Sequence, residues 1–333
     1  MRLVQLVRRG ERRVAVVDNG RLRLLGPSAP ASVYALAQAA IQNKEQLAAT
    51  IAKYPGQETL AYDQIYDGDS DWRLLPSFDH PDDPAHCMVS GTGLTHKASA
   101  ENRAAMHKQT AEITDSMRMY QMGLEGGNPR AGEIGVQPEW FFKGDGSIVR
   151  AHGEHLEVPP YGWDGGEEPE IAGAYVISSD GIPFRVGLTT ANEFSDHRME
   201  KKNYLYLAPS KLRNCSIGPE LVVAEDVFDI VRGTVRVLRG SQCLWRKDIR
   251  SGEGNMSYSV ANLEHHHFKY AAHRRAGDAH IHFFGADAFS FGEGLALEQG
   301  DTMEVSFPLL GRPLRNHLVV HKGPEALVDV AKL

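Results

Sequence analysis

The chain has 333 residues, 42% of them apolar and 24% charged, which gives room for one large domain with a smaller appendage. Its 36 Lys and Arg against 43 Asp and Glu leave a formal net charge of −7, so no global field draws in nucleic acid. No run approaches the roughly 20 apolar residues that cross a bilayer, and the N-terminus lacks an apolar stretch with a small-residue cleavage site. Cys87, Cys215 and Cys243 are far apart and not in metal-ligand spacing, which fits a protein of the reducing cytoplasm, away from membranes.

In chain order, LVQLV, RVAVV and RLRLL alternate in a strand-like way around RRGER and DNG, and predict a small antiparallel meander. From Ala31 to Lys53 apolar residues recur at helical spacing behind Ser28 and Pro30, predicting a capped amphipathic helix. A strand over WRLLPSF comes next, followed by the Asp/Pro-rich stretch 79–86, which reads as a linker. It divides the chain into a small N-terminal α/β domain, 1–85, and a catalytic domain, 86–333. Residues 97–122 read as a polar helix, and 138–250 hold short β-rich runs such as IAGAYVIS, FRVGLTT and GTVRVLRG. A helix around Ser257 to Ala272 precedes the final strands HIHFFG, TMEVSF and HLVV. Composition and pattern together give a β-rich α+β fold.

Glu168 and Glu170 lie two apart in GGEEPEIAGAYVIS, and in a strand that spacing puts both carboxylates on one face. Such a pair repels unless it is solvated or holds a cation. After the strand FRVGLTT, the segment ANEFSDHRMEKKNYLYLAPSK packs Glu193, Asp196, Glu200 and Lys211 together. A strand, a turn and a returning strand bring Glu193 to the pair, giving three oxygen ligands that suit Mg²⁺ or Mn²⁺ better than Zn²⁺.

Four segments in order, 93–103, 138–143 (PEWFFK), 167–172 and 189–219, resemble the fumarylacetoacetate hydrolase superfamily, and within it the branch of 2-keto-3-deoxy-pentonate dehydratases. The resemblance covers most of residues 86–320. It implies a mixed β-sandwich roll, a homodimer or larger homo-oligomer, and a small 2-keto acid as partner, with Glu168, Glu170 and Glu193 as metal ligands. Glu193 stands where the family has aspartate. The resemblance further implies Lys143 as a proton-transfer group, Lys211 as its charge-stabilising neighbour, and Thr95, Arg103, Ser195, Asp196, Gly285 and Ala286 as substrate contacts.

A 2-keto acid that chelates a divalent cation has its carbonyl polarised and its C3 protons acidified, and loss of the C4 hydroxyl then completes a dehydration. The hydrolases of the superfamily carry a histidine base on a lid helix. Ser99 occupies that place in GTGLTHKASAENR, which favours elimination, while His96 stands where the family has tyrosine and is a further acid–base candidate. Ala286 cannot donate the hydroxyl hydrogen bond that relatives offer to the substrate carboxylate, so Ser290 or a backbone N–H takes that task. Two other functions compete with the dehydratase: a C–C hydrolase of an acylpyruvate or 2,4-diketo acid, and a 2-keto-acid-binding protein without turnover. The run His265, His266, His267 mimics a metal motif, but consecutive helical residues point about 100° apart, so a structural or surface role is expected.

Overall fold

The computed structural model describes residues 1–106, 114–223 and 228–333. The meander forms as expected. Arg2–Arg8, Glu11–Asp18 and Arg21–Leu24 pair in sequence, and the second turn places Asn19 and Gly20 at φ 47° and 76°, the double positive φ that a tight hairpin requires. The amphipathic segment is two helices rather than one. Val33–Gln42, capped by the Ser32 side chain, is followed by Leu47–Ala52, with Lys44 at φ 54° in the break.

The large sheet runs Thr59–Ala61, Arg21–Leu24, Glu11–Asp18, Arg2–Arg8, Cys215–Val222, Pro183–Asn192, Pro169–Ile177, Ala279–Phe283, Cys87–Gly91 and Phe141–Asp145. Arg73–Leu74, all of WRLLPSF that is strand, pairs with Arg2–Arg8. The N-terminal strands therefore continue the sheet that carries the later ones, joined through Leu3 opposite Leu221. The stretch 79–86 is tied down: Asp79 takes two hydrogen bonds from the Arg12 guanidinium and one from Gln5.

A second sheet, Gln242–Ser251, Val231–Arg239, Thr302–Ser306, Leu314–Val320 and His155–Val158, packs against the first. Ile171 and Leu188 of the large sheet meet Val235, Val305 and Phe307 in the core between them. The opposite face of the large sheet is covered by Val33, Leu36 and Ala37 of the first helix. Pro169–Ile177 thus has protein on both sides, and all nine of its residues are buried, which is why it reads as a continuous apolar run. Both sheets mix parallel and antiparallel neighbours, the β-rich α+β architecture expected, and neither is a barrel.

Of the expected 97–122 helix, Lys97–Met106 and Asp115–Gly126 are helical, and 107–113 lie outside the described residues. Val260–Phe268 forms behind its Ser259 cap. No helix among the described residues is long and apolar enough to cross a membrane.

Candidate metal centre

The centre is built on the hairpin of Pro169–Ile177 and Pro183–Asn192. Its register sets Pro169 opposite Asn192 and Glu170 opposite Ala191, and the Glu193 N–H extends the ladder by donating to the Glu168 carbonyl at 3.0 Å. The Asn192 side-chain oxygen accepts from the N–H groups of both Glu168 and Phe194, which fixes the backbone on either side. Oxygens of Glu168, Glu170 and Glu193 lie within 4.8 Å of one another, on side chains that are all buried.

Two lysines are driven into this cluster. Lys143 Nζ lies 2.7 Å from Glu193 Oε1 and donates to the carbonyls of Phe194 and Lys211 at 2.8 and 3.0 Å, which commits its three protons. Lys211 Nζ lies 2.8 Å from Glu168 Oε1, 2.6 Å from Glu193 Oε2, 2.9 Å from Ser195 Oγ and 3.2 Å from Glu200 Oε1. Neither lysine reaches solvent. Burial works against the Lys211 ammonium, but Glu168, Glu193 and Glu200 outweigh it and raise its pKa well above the lysine range.

The three acids differ in how they are compensated. Burial opposes ionisation of Glu168, yet Lys211 and His197 hold its pKa well below the carboxylate range. Glu193 is pushed up to about 7 by burial, against the pull of Lys143 and Lys211. For Glu170, burial and then the charges of Glu193 and Glu168 push the pKa well above the usual range. No ion pair among the described residues reaches Glu170, whose Oε2 accepts the Gly285 N–H at 2.7 Å.

Around the centre stand further groups, of which the sequence reading passed over His197 and Glu139. His197 Nε2 is 3.0 Å from Glu168 Oε1, with its ring stacked on Phe289 at 4.8 Å. Arg103 is clamped between Glu139 at 2.8 Å and Glu200 at 3.3 Å, and Glu200 passes the contact on to Lys211. Glu200 was expected in the cluster, and the signal for His197 was its place in the same short helix, His197–Lys202, one turn after Glu193. Nothing in the sequence tied Glu139 to Arg103, 36 residues away.

The expected substrate contacts divide into two groups. Ser195 donates to Glu193, and Gly285 holds Glu170, so both touch the centre. Gly285 has φ +97° and lies so close to Thr95 that an added Cβ would come within 2.0 Å of Thr95 Oγ1. Asp196 turns away to cap the helix His197–Lys202 and to pair with Arg213 at 3.0 Å. Ser99 Oγ donates to the His96 carbonyl, and Ala286 is buried. Ser290 is committed elsewhere: its N–H and hydroxyl both donate to the buried Glu167 carboxylate, at 2.6 and 3.0 Å. His267 is structural as expected, but in a cluster the sequence did not announce, 3.0 Å from His280 and beside Ser90, which also bonds His282.

A divalent cation fits this donor set. Cis oxygens around Mg²⁺ at about 2.1 Å stand about 3 Å apart, within reach of small side-chain adjustments of a cluster spanning 4.8 Å. Charge points the same way. Five buried carboxylates in contact through the centre, Glu139, Glu168, Glu170, Glu193 and Glu200, face three buried cations, Lys143, Lys211 and Arg103, so the acids outnumber the lysines and arginine around them.

No protein-family model matches the sequence, and no curated protein matches it either. Solved structures do match. 2-Keto-3-deoxy-D-arabinonate dehydratase complexed with magnesium and 2,5-dioxopentanoate aligns with TM-score 0.70 and 20% identity, over 97% of this chain and 100% of that one. The 5-carboxymethyl-2-hydroxymuconate delta-isomerase of Mycobacterium smegmatis aligns with TM-score 0.59 and 14% identity, over 97% and 100%. The 2-hydroxyhepta-2,4-diene-1,7-dioate isomerase of Mycobacterium marinum gives 0.57 and 14%, over 96% and 98%. The chain has the fold that these enzymes share, and its resemblance to the fumarylacetoacetate hydrolase superfamily holds at the level of that fold.

Proposed function

We propose that the chain is a hydro-lyase that uses Mg²⁺ or Mn²⁺ to dehydrate a 2-keto-3-deoxy-pentonate to 2,5-dioxopentanoate, conserving all five carbons. The observation that carries this reading is the convergence of Glu168, Glu170 and Glu193 in a buried cluster whose carboxylates outnumber the lysines and arginine that face them. The fold likeness to a dehydratase whose structure holds magnesium and 2,5-dioxopentanoate supports it. When bound, the ion supplies Lewis-acid polarisation of a 2-keto acid. The protein's own part is to orient and to exclude water. Lys143 and Lys211 hold Glu193 and Glu168, the Gly285 N–H holds Glu170, and Arg103 fixes Glu200 behind Lys211. Ser99 in place of a lid histidine leaves the water-activating dyad of the superfamily's hydrolases incomplete, which favours elimination.

The test is an NMR assay of a panel of 2-keto-3-deoxy sugar acids, after EDTA treatment and with Mg²⁺ or Mn²⁺ restored. The expected result is metal-dependent formation of 2,5-dioxopentanoate. Release of pyruvate and a second acid would instead identify a C–C hydrolase, and binding by calorimetry without turnover would identify a ligand-binding protein.

A further inference from the structure

The Thr95 hydroxyl has one proton, and it goes to the Phe284 carbonyl at 2.7 Å. The 2.9 Å contact between Thr95 Oγ1 and His96 Nδ1 must therefore have the imidazole as donor. That assigns the tautomer: Nδ1 carries the hydrogen, and Nε2 presents a bare lone pair. His96 is 1% exposed, and its Nε2 is a buried atom with no hydrogen-bond partner among the described residues. An unpaired polar atom in such a place is costly, and functional sites are where such costs are retained. Burial holds the imidazolium down to about 4, with only Asp287 pulling the other way, so the ring is a neutral acceptor at neutral pH.

This ring is linked to the metal centre through two contacts. Thr95 Oγ1 is wedged against Gly285, and the Gly285 N–H holds Glu170 Oε2. The lysines offer no comparable acceptor. Lys143 donates all three of its protons, Lys211 is held protonated by three carboxylates, and an ammonium has no lone pair.

Resting on the 2-keto-acid reading above, we infer that His96 Nε2 is the proton acceptor of the site, with the Phe284 carbonyl and the Thr95 hydroxyl as the positioning groups that fix its tautomer. In the dehydration Nε2 takes one C3 proton while the C–H electron pair moves into the conjugated enolate. The proton then goes to the C4 oxygen, the C4–O bond breaks, water leaves, a C3–C4 double bond forms and the imidazole returns neutral; C5 then gives up a proton as C3 takes one, and the resulting C4–C5 enol ketonises to the C5 aldehyde, 2,5-dioxopentanoate. No atom changes hands with an outside reagent, and nothing is oxidised or reduced by one.

The experiment follows exchange of the C3 protons of 2-oxopentanoate in D₂O by NMR, with Mg²⁺ present. This keto acid has no C4 hydroxyl to lose, so exchange reports proton abstraction alone. Wild type is expected to exchange. His96→Gln is expected to lose about 100-fold or more in exchange rate while keeping its thermal shift with Mg²⁺. Thr95→Val should fall with it and Thr95→Ser should restore exchange, which a purely structural role for Thr95 would not produce. Long-range ¹H–¹⁵N spectra of wild type should show the Nδ1–H tautomer of His96, a measurement that stands even if a variant misfolds. Exchange at the wild-type rate in His96→Gln, or an Nε2–H tautomer, overturns the inference. Absence of exchange in wild type removes the 2-keto-acid reading itself. Exchange without any dehydration of pentonates leaves His96 as the base of a different reaction on the same substrate class.

Discussion

Glu170→Gln separates metal binding from folding, because the two respond with opposite sign. In metal-depleted protein Glu170 is the least compensated acid of the centre, its carboxyl raised by burial and by Glu193 and Glu168. An acid whose folded pKa is raised destabilises the fold once pH exceeds its unfolded value of about 4.3, since the unfolded chain releases a proton that the folded chain retains. The cost grows by about 1.4 kcal/mol per pH unit between that value and the folded pKa. Glutamine removes that cost and still offers an oxygen to the Gly285 N–H. At about 2 °C per kcal/mol for a large domain, each pH unit of that cost is worth about 3 °C, so the EDTA-treated variant should melt above EDTA-treated wild type. Mg²⁺ at 100 times its Kd should then stabilise wild type by about 2.7 kcal/mol and leave the variant nearly unmoved. Scanning calorimetry of both proteins near pH 6.5, with EDTA and then with excess Mg²⁺, reads both effects. A variant that melts below wild type in EDTA, or that gains the same Mg²⁺ shift, would refute the account of Glu170 as an unneutralised ligand.

Three more perturbations follow from the same geometry. Lys211→Met strips the ammonium from Glu168, Glu193 and Glu200 at once and should cost about 3–5 kcal/mol in urea unfolding without metal, with excess Mg²⁺ recovering part of it. Gly285→Ala forces a Cβ to within 2.0 Å of Thr95 Oγ1 at φ +97°, and should lower both stability and Mg²⁺ affinity, whereas alanine at exposed Gly153 (φ +82°), with open space around it, should leave Mg²⁺ affinity untouched. Burial lowers the pKa of His280 to about 4, of His282 to about 3 and of His267 well below the histidine range. Groups with depressed basic pKa values stabilise the fold above the unfolded value of about 6.5 and lose that stability as pH falls below it, by about 1.4 kcal/mol per pH unit for each ring that stays neutral. Urea melts at pH 7 and pH 5 should show this loss, and His282→Asn should make it smaller.

Several strands of the large sheet were legible because they carry a local signature: alternation in the meander, a β-branched and apolar run in Pro169–Ile177. Thr59–Ala61 and Cys87–Gly91, short and without one, were not read as strands. What local pattern could not supply was the partner of each strand. The Asp/Pro stretch 79–86 looked like a linker by composition, yet Asp79 is bonded to Gln5 and Arg12, and Arg2–Arg8 adds itself to Cys215–Val222 across more than 200 residues. Pairing at that separation is decided by which edge each strand finds free, and no window of sequence contains both edges.

At the centre the same limit applies to charge. Two of the acids were visible from a two-residue spacing, and the third from a hairpin whose arms lie close in sequence. The lysines, by contrast, could be read equally as stems lying along apolar surface with their ammoniums in water. The extra methylene of Glu193 explains why they do not. A carboxylate on the longer side chain reaches both ammoniums, Lys143 on Oε1 and Lys211 on Oε2, at 2.7 and 2.6 Å. An aspartate from the same backbone would end about one bond, roughly 1.5 Å, short. Glutamate at this position therefore bridges two buried cations that would otherwise be left with carbonyls, Ser195 and the remaining acids. Glu193 and the lysine pair form one electrostatic unit, and a divalent ion bound at the centre would have to share Glu193 with both of them.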